Sequence, residues 1–188
     1  MSTSCTWPGA DPLMNRYHDE EWGVPLQDDA GHYAFLVLEA AQAGLSWRTV
    51  LHKREGYRRA FADFDCERVA RYGEAETAAL LADPGIVRNR LKVGAAIHNA
   101  RCVLELKAKE GGLSRWLWSF VDGRPVVNRW ERLDQIPPTS PLSDRVSKEL
   151  KARGFKFVGS TVIYSHLQAA GLVNDHLVQC RRWQEVQG

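Results

Sequence analysis

Two metal-capable residues near the start of this 188-residue chain, Cys5 and His18, are answered by His176 and Cys180 near its end. The second pair reads His-Leu-Val-Gln-Cys, a spacing of four that puts both side chains on one face of a helix. Two thiols and two imidazoles suit tetrahedral zinc, whose structural sites are closed by four N/S ligands. Were all four to meet on one ion, the chain ends, which otherwise fray, would be pinned together. The loop between the pairs is far longer than in a zinc finger, however. Two buried free cysteines with two surface histidines fit the spacing as well.

Glu39 is the second candidate. Between Asp28 and Gly44, the residues Tyr33, Leu36, Val37, Ala40, Ala41 and Gly44 follow the i, i+3, i+4 rule of an amphipathic helix, with Asp28 placed as its N-cap. Glu39 lies about 130° from the centre of that stripe, at 100° per residue. It shares its side with Phe35, Leu38 and Gln42, a half-apolar face that can be covered or solvated. A covered carboxylate is costly unless it has a partner or a cation. Around it in sequence stand Trp7, Tyr17, Trp22, Tyr33, Phe35 and Trp47, and the chain holds 7 tryptophans. Most aromatics fill a core, and Trp116, Trp118 and Phe120 read that way. Flat faces also stack bases, at about 1–3 kcal/mol each, and a pocket built of them suits an extruded nucleobase.

The third candidate is Gly154-Phe155-Lys156-Phe157-Val158-Gly159. Two glycines bracket a turn, and the second opens a helix whose backbone N–H groups form an anion site. Gly159 leaves room for a phosphate, and Lys156 adds charge. A helix-hairpin-helix grips one DNA strand in this way, although a glycine-bounded turn between helices is often only a turn. The formal net charge of +2 hides three basic runs: Arg48–Arg59, the group Arg88, Arg90, Lys92 and Arg101, and Arg145–Lys156. Single runs are usually solvated helix faces; three raise the expectation of a polyanionic partner.

Nearly every long segment that must position these residues has helical periodicity. Beyond the helix that carries Glu39, a second amphipathic helix spans about 90–109, with shorter ones near 46–62, 66–71, 74–82 and 113–120. The stretch Asp122–Pro141 holds four prolines and reads as a surface loop or short extended piece; helices follow at about 142–153 and 160–170. The expectation is an all-α chain, a single unit over 1–188, with a hairpin pair at about 142–170 and terminal segments 5–18 and 176–180 closing on each other. With 44% hydrophobic and 26% charged residues, it reads as an ordinary globular protein. Four dispersed cysteines argue for a reducing compartment. The absence of any membrane span or apolar signal core points to the cytoplasm.

Together these pieces resemble the 3-methyladenine DNA glycosylase I family, a branch of the helix-hairpin-helix base-excision enzymes, nearly from end to end. The carriers are Tyr17-His18-Asp19 with Glu21-Trp22-Gly23-Val24-Pro25, then Glu39 leading into Gln42-Ala43-Gly44-Leu45-Ser46-Trp47, the Gly154–Gly159 turn, and Gly171-Leu172-Val173-Asn174-Asp175-His176. The resemblance implies one structural zinc ion on Cys5, His18, His176 and Cys180. It implies that Glu39, Tyr17 and Trp47 contact the methylated base, with Trp22 lining the pocket, and that Gln42, Gly44 and Leu45 enter the DNA at the lesion. Two departures stand out: Met14 where some relatives carry an aromatic at the pocket rim, and a tail, Arg181-Arg182-Trp183-Gln184, unlike the family's cysteine-rich ending.

The implied partner is double-stranded DNA with alkylated bases, acted on by a monomer. The implied reaction is hydrolysis of the glycosidic bond of 3-methyladenine, with Glu39 the catalytic carboxylate. No lysine stands out as a Schiff-base nucleophile, so no strand cleavage is expected. Asp175 lies where relatives elsewhere in the superfamily place a water-activating Asp, but it directly precedes His176 and can instead orient the zinc segment. Two other classes compete. A zinc-stapled nucleic-acid-binding module would be hard to reconcile with a carboxylate beside stacking rings. A zinc hydrolase would need an open coordination position that a Cys2His2 set lacks.

Overall fold

Asp28 accepts a hydrogen bond from Gly31 N and starts α2 (Asp29–Gln42); Asn89 accepts from Lys92 N and starts α7 (Arg90–Glu110). The protein is described by a computed structural model covering residues 5–187, so the first four residues of the stretch read for a targeting signal lie outside it. α2 is buried almost all round, with Leu36, Val37, Leu38, Glu39, Ala40 and Ala41 all withdrawn from water. It packs against α7 and is the central helix of the fold.

The other elements surround it. α1 (Pro12–Glu20), capped by Asp11, and α3 (Trp47–His52), capped by Ser46, pack on each other at one end of α2. α4 (Arg54–Ala60), α5 (Cys66–Val69) and α6 (Glu74–Ala82) follow, the last two against α7. α8 (Leu113–Trp118) buries Trp116 and Trp118, as expected; Phe120 is only partly covered and lies under the Arg145 guanidinium. α9 (Pro141–Ala152) and α10 (Ser160–Ala169) pair through a tight turn, and α11 (Arg181–Glu185) closes the described chain.

The helical expectation holds with one short addition, and a second expectation is corrected. The fold is mostly helical but not purely so: β1 (Val126–Val127) and β2 (Val173–Asn174) form a short parallel pair. It arises because the proline-rich stretch doubles back over α10, donating Val126 N–H to Leu172 O and Asn128 N–H to Asn174 O. Second, His176 and Cys180 do not share a helical face. They lie in an irregular stretch between β2 and α11. There Asn174 Oδ1 accepts the His176 N–H, and a side chain that takes up a backbone donor competes with helix formation.

Gly171 ends the α10 segment at φ +71°, and a Cβ there would lie 2.5 Å from the backbone of Val24 and Pro25. Both the left-handed conformation and the contact exclude a side chain. Gly171→Ala is therefore expected to cost about 2–5 kcal/mol, read as a lowered urea midpoint in equilibrium unfolding.

Candidate active site

The four ligand-type residues do meet. Cys5, His18, His176 and Cys180 are all buried, with their Sγ and ring nitrogens within 4.8 Å of one another. Cys180 Sγ lies 3.7 Å from His18 Nε2 and 3.8 Å from His176 Nδ1, and Cys5 Sγ lies 3.8 Å from the same Nδ1. Bonds of 2.0–2.3 Å in a tetrahedron give ligand separations of about 3.3–3.8 Å, so the set fits such an ion. The second nitrogen of each ring is also committed. His18 Nδ1 faces Asp19 Oδ1 at 2.8 Å, and His176 Nε2 faces the Trp22 carbonyl at 3.0 Å. Those acceptors leave the inward nitrogens bare, as a metal requires. Burial pushes the Cys5 thiol up to about 12 and the His176 imidazole down to about 4. A divalent cation would displace the thiol protons on binding.

Beside this cluster is a cavity of about 360 Å³ lined by Trp7, Tyr17, Trp22, Glu39, Gln42 and Trp47, and on the far side by Leu133, Ile136, Ser165 and Gln168. Its volume falls within the range of small-molecule sites. Tyr17 comes from α1, Glu39 and Gln42 from the last turns of α2, Trp47 from the first residue of α3, and Ser165 and Gln168 from α10. Tyr17 and Trp47 have ring centres 5.1 Å apart and tilted by 46°; Trp7 stands edge-on to Trp22 at 5.2 Å. The indole N–H groups of Trp7 and Trp47 have no partner among the described residues.

Glu39 is 5% exposed, and among the described residues its carboxyl makes neither a hydrogen bond nor a salt bridge. Burial alone raises it from the ordinary 4.5 to about 8. The half-apolar face anticipated from the sequence is thus covered, but by the walls of a cavity. Burial, with Glu39 adding to it, also holds the Tyr17 hydroxyl well above its usual range, in its neutral form.

Gln42 opens a type II turn. Ala43 has φ −48° and ψ 113°, Gly44 has φ +80°, and Leu45 N–H reaches Gln42 O at 2.6 Å. Leu45 is 42% exposed. Lys92 of α7 fixes this turn, its ammonium donating to Ala41 O (2.9 Å) and Ala43 O (2.5 Å), a cation at the negative end of α2.

Gly154 (φ +86°) and Phe157 (φ +56°) shape the α9–α10 turn, and Gly159 caps α10 with open space where a Cβ would stand. Lys156 is exposed while its backbone is clamped by Asn99, which donates to its carbonyl at 2.9 Å and accepts from its N–H at 2.8 Å. Lys156 and Gly159 are not among the residues lining the cavity.

Of the sequence candidates, Tyr17, Trp22, Glu39, Gln42 and Trp47 line one cavity, and Gly44 and Leu45 sit in the turn that follows. Met14 is buried with Tyr17 and Leu51, behind the cavity wall rather than on its rim. Sequence reasoning missed Trp7, Leu133, Ile136, Ser165 and Gln168 as lining residues. Only Trp7, two positions after a ligand candidate, carried a usable signal. Asp175 is buried with four donors: Asn128 Nδ2 and Trp130 Nε1 on Oδ1, both at 2.7 Å, and Tyr164 OH at 2.6 Å and Gln168 Nε2 at 2.7 Å on Oδ2.

A family model described as methyladenine glycosylase matches residues 7–183. The chain is 48% identical over 176 residues to DNA-3-methyladenine glycosylase 1 of Escherichia coli strain K12, covering 94% of each chain. A crystal structure of 3-methyladenine DNA glycosylase I superposes with a TM-score of 0.93 at 47% identity, over 95% of this chain and 98% of that one. A tyrosine-to-phenylalanine variant of 3-methyladenine DNA glycosylase I in complex with 3-methyladenine superposes at 0.92 and 37% identity, over 95% and 96%.

The position of Glu39 has a consequence for stability. Its carboxyl in the folded chain, at about 8, lies above the ordinary 4.5, so the native state binds more protons than the unfolded one between these values. Its contribution to stability is full below about 4.5 and is lost as pH rises through about 8. In Glu39→Gln that loss is absent. The variant should therefore gain stability relative to the parent as pH is raised, by at most about 1.4 kcal/mol per pH unit, measured by urea unfolding across a pH series.

Proposed function

The chain belongs to the methyladenine glycosylase family, and on that footing we propose that it hydrolyses the N-glycosidic bond of 3-methyladenine in alkylated double-stranded DNA, releasing the free base and leaving an abasic site. Kinship makes it an enzyme of the DNA-3-methyladenine glycosylase class. One observation supports the residue roles above all: a buried, unpartnered carboxyl, Glu39, faces a cavity walled by aromatic rings.

Methylation at N3 makes the base a cation, so its departure removes a charge and needs little acid assistance. Glu39, protonated at neutral pH while alone, ionises when a cation arrives, because an opposite charge favours the charged form. It then accepts hydrogen bonds from the base edge in a site of low dielectric. Tyr17 and Trp47 stack on the ring with a cation–π contribution, and Trp22 closes the wall. Leu45, Gln42 and the Gly44 turn, braced by Lys92, fill the gap left in the duplex and offset part of the unstacking cost. Gly159 and Lys156 hold the backbone of one strand through the α9–α10 hairpin.

Bond breaking leaves an oxocarbenium-like sugar for water to attack. No lysine is among the described residues lining the cavity, which supports hydrolysis without strand cleavage. Asp175 has both oxygens saturated by donors and is therefore assigned to structure. Cys5, His18, His176 and Cys180 would hold one structural zinc ion, with no open position for a substrate. The enzyme acts as a monomer and a single unit over 1–188, in the reducing cytoplasm. No helix among the described residues is long and apolar enough to cross a membrane.

Incubation with methylated DNA should release free 3-methyladenine, identified by chromatography, and borohydride should trap no protein–DNA adduct. Failure to release that base ends the reading. Glu39→Gln keeps the shape but removes the anion, and should lower kcat/KM by about a hundredfold or more. Stripping zinc with a chelator should lower the Tm, with activity at low temperature declining only as far as the fraction folded does.

A further inference from the structure

We propose that Gln168 is a specificity-determining residue and Asp175 its positioning residue: Asp175 anchors the NH2 of the Gln168 amide, so that its oxygen is turned away from Asp175 and free to accept from the base. This rests on the glycosylase reading and deepens it by assigning the choice between adenine and guanine lesions.

A glutamine amide is ambiguous: it donates from one end and accepts at the other, and rotation by half a turn exchanges them. Here the ambiguity is removed. The group 2.7 Å from Asp175 Oδ2 must be the NH2, because an ionised carboxylate can only accept. Three further donors meet the same carboxyl, Asn128 Nδ2 and Trp130 Nε1 on Oδ1 and Tyr164 OH on Oδ2, so an amide oxygen in place of the NH2 would face an oxygen already accepting a hydrogen bond. It is 1% exposed, so water does not compete. Gln168 lines the cavity, and its Oε1 has no partner among the described residues and is not sealed from the solvent. Flipping the amide would place Oε1 against the carboxylate.

The cavity wall therefore carries two acceptors from two different helices: Gln168 on α10, through its Oε1, and Glu39 on α2 once a cationic base has ionised it. Ser165 and Gln42, also on the wall, can turn to donate or accept and discriminate less. At the six-position, adenine carries an N–H donor pair, whereas guanine carries an oxygen acceptor. An adenine lesion turned toward these acceptors is satisfied. 3-Methylguanine would place its oxygen against fixed oxygens and leave both sides unpaired, the arrangement by which sites reject a near-isostere.

The test is excision from one preparation of methylated DNA, with free 3-methyladenine and 3-methylguanine quantified together. Gln168→Met removes the acceptor at similar length. Its ratio of kcat/KM for 3-methyladenine over 3-methylguanine should fall at least tenfold. Asp175→Asn frees the amide to flip and should lower the same ratio, where its Tm shows that it folds. Should Asp175→Asn not fold, Gln168→Met alone decides. If folded Gln168→Met loses both activities in equal proportion, or neither, the proposal is overturned and Gln168 only packs. A wild-type chain that releases no 3-methyladenine would instead overturn the function on which the inference rests.

Discussion

A carboxyl with nothing to pair with is the constraint around which this molecule is built. Glu39 sits on the central helix, among its buried residues, and among the described residues no arginine, lysine or hydrogen-bond donor comes to meet it. A cation was available in principle: Lys92 lies on the neighbouring helix, yet its ammonium is spent on the last carbonyls of α2. Leaving the acid unsatisfied costs folding energy, and only a positively charged occupant of the cavity recovers it. Under the proposed function, such a site selects for charge before shape, since a neutral base gives the buried carboxyl no cause to ionise.

Asp175 shows the opposite use of the same functional group. With four donors from β1's downstream loop and from α10, it is the knot that ties the proline-rich stretch to the rest of the fold. That stretch supplies Leu133 and Ile136, two apolar residues of the cavity wall. One acid is saturated with donors and ties a wall in place; the other is left without a partner among the described residues. Sequence position hinted at this division only in part: Asp175, directly before His176, read as able to orient that segment, but its donors Asn128, Trp130, Tyr164 and Gln168 follow no local pattern.

The longer helices, the cap at Asp28, and the cavity residues within ordered motifs could be read from residue types, because periodicity and spacing are local properties. α1 was harder. Its buried positions Met14, Tyr17 and His18 keep helical spacing, but a histidine counts as polar until its place in the Cys/His cluster is known. The irregular segment around His176 and Cys180 defeated the helical reading for a similar reason. Its conformation is set by contacts with residues far away in sequence, such as Cys5, whose Sγ accepts the Leu177 N–H at 3.4 Å. Leu133, Ile136 and Gln168 were invisible as site residues because no local pattern distinguishes a cavity wall from a core.

The Cys/His cluster explains why the aromatic side of the cavity can be built from chain ends at all. Cys5 and His176 are 171 residues apart, and holding them together in the unfolded chain would remove an entropy worth roughly 5 kcal/mol by the loop-closure argument used for cross-links. The pin acts on the cavity directly. Trp7 follows Cys5 by two residues and meets the His18 ring edge-on at 5.5 Å, while Trp22 packs 4.5 Å from the His176 ring and receives that ring's N–H on its carbonyl. Loss of the four-way contact would release both indoles, and with them the face of the cavity across from α10. Under the proposed function, an ion held by this cluster would be coupled to base recognition through Trp7 and Trp22 while staying outside the cavity.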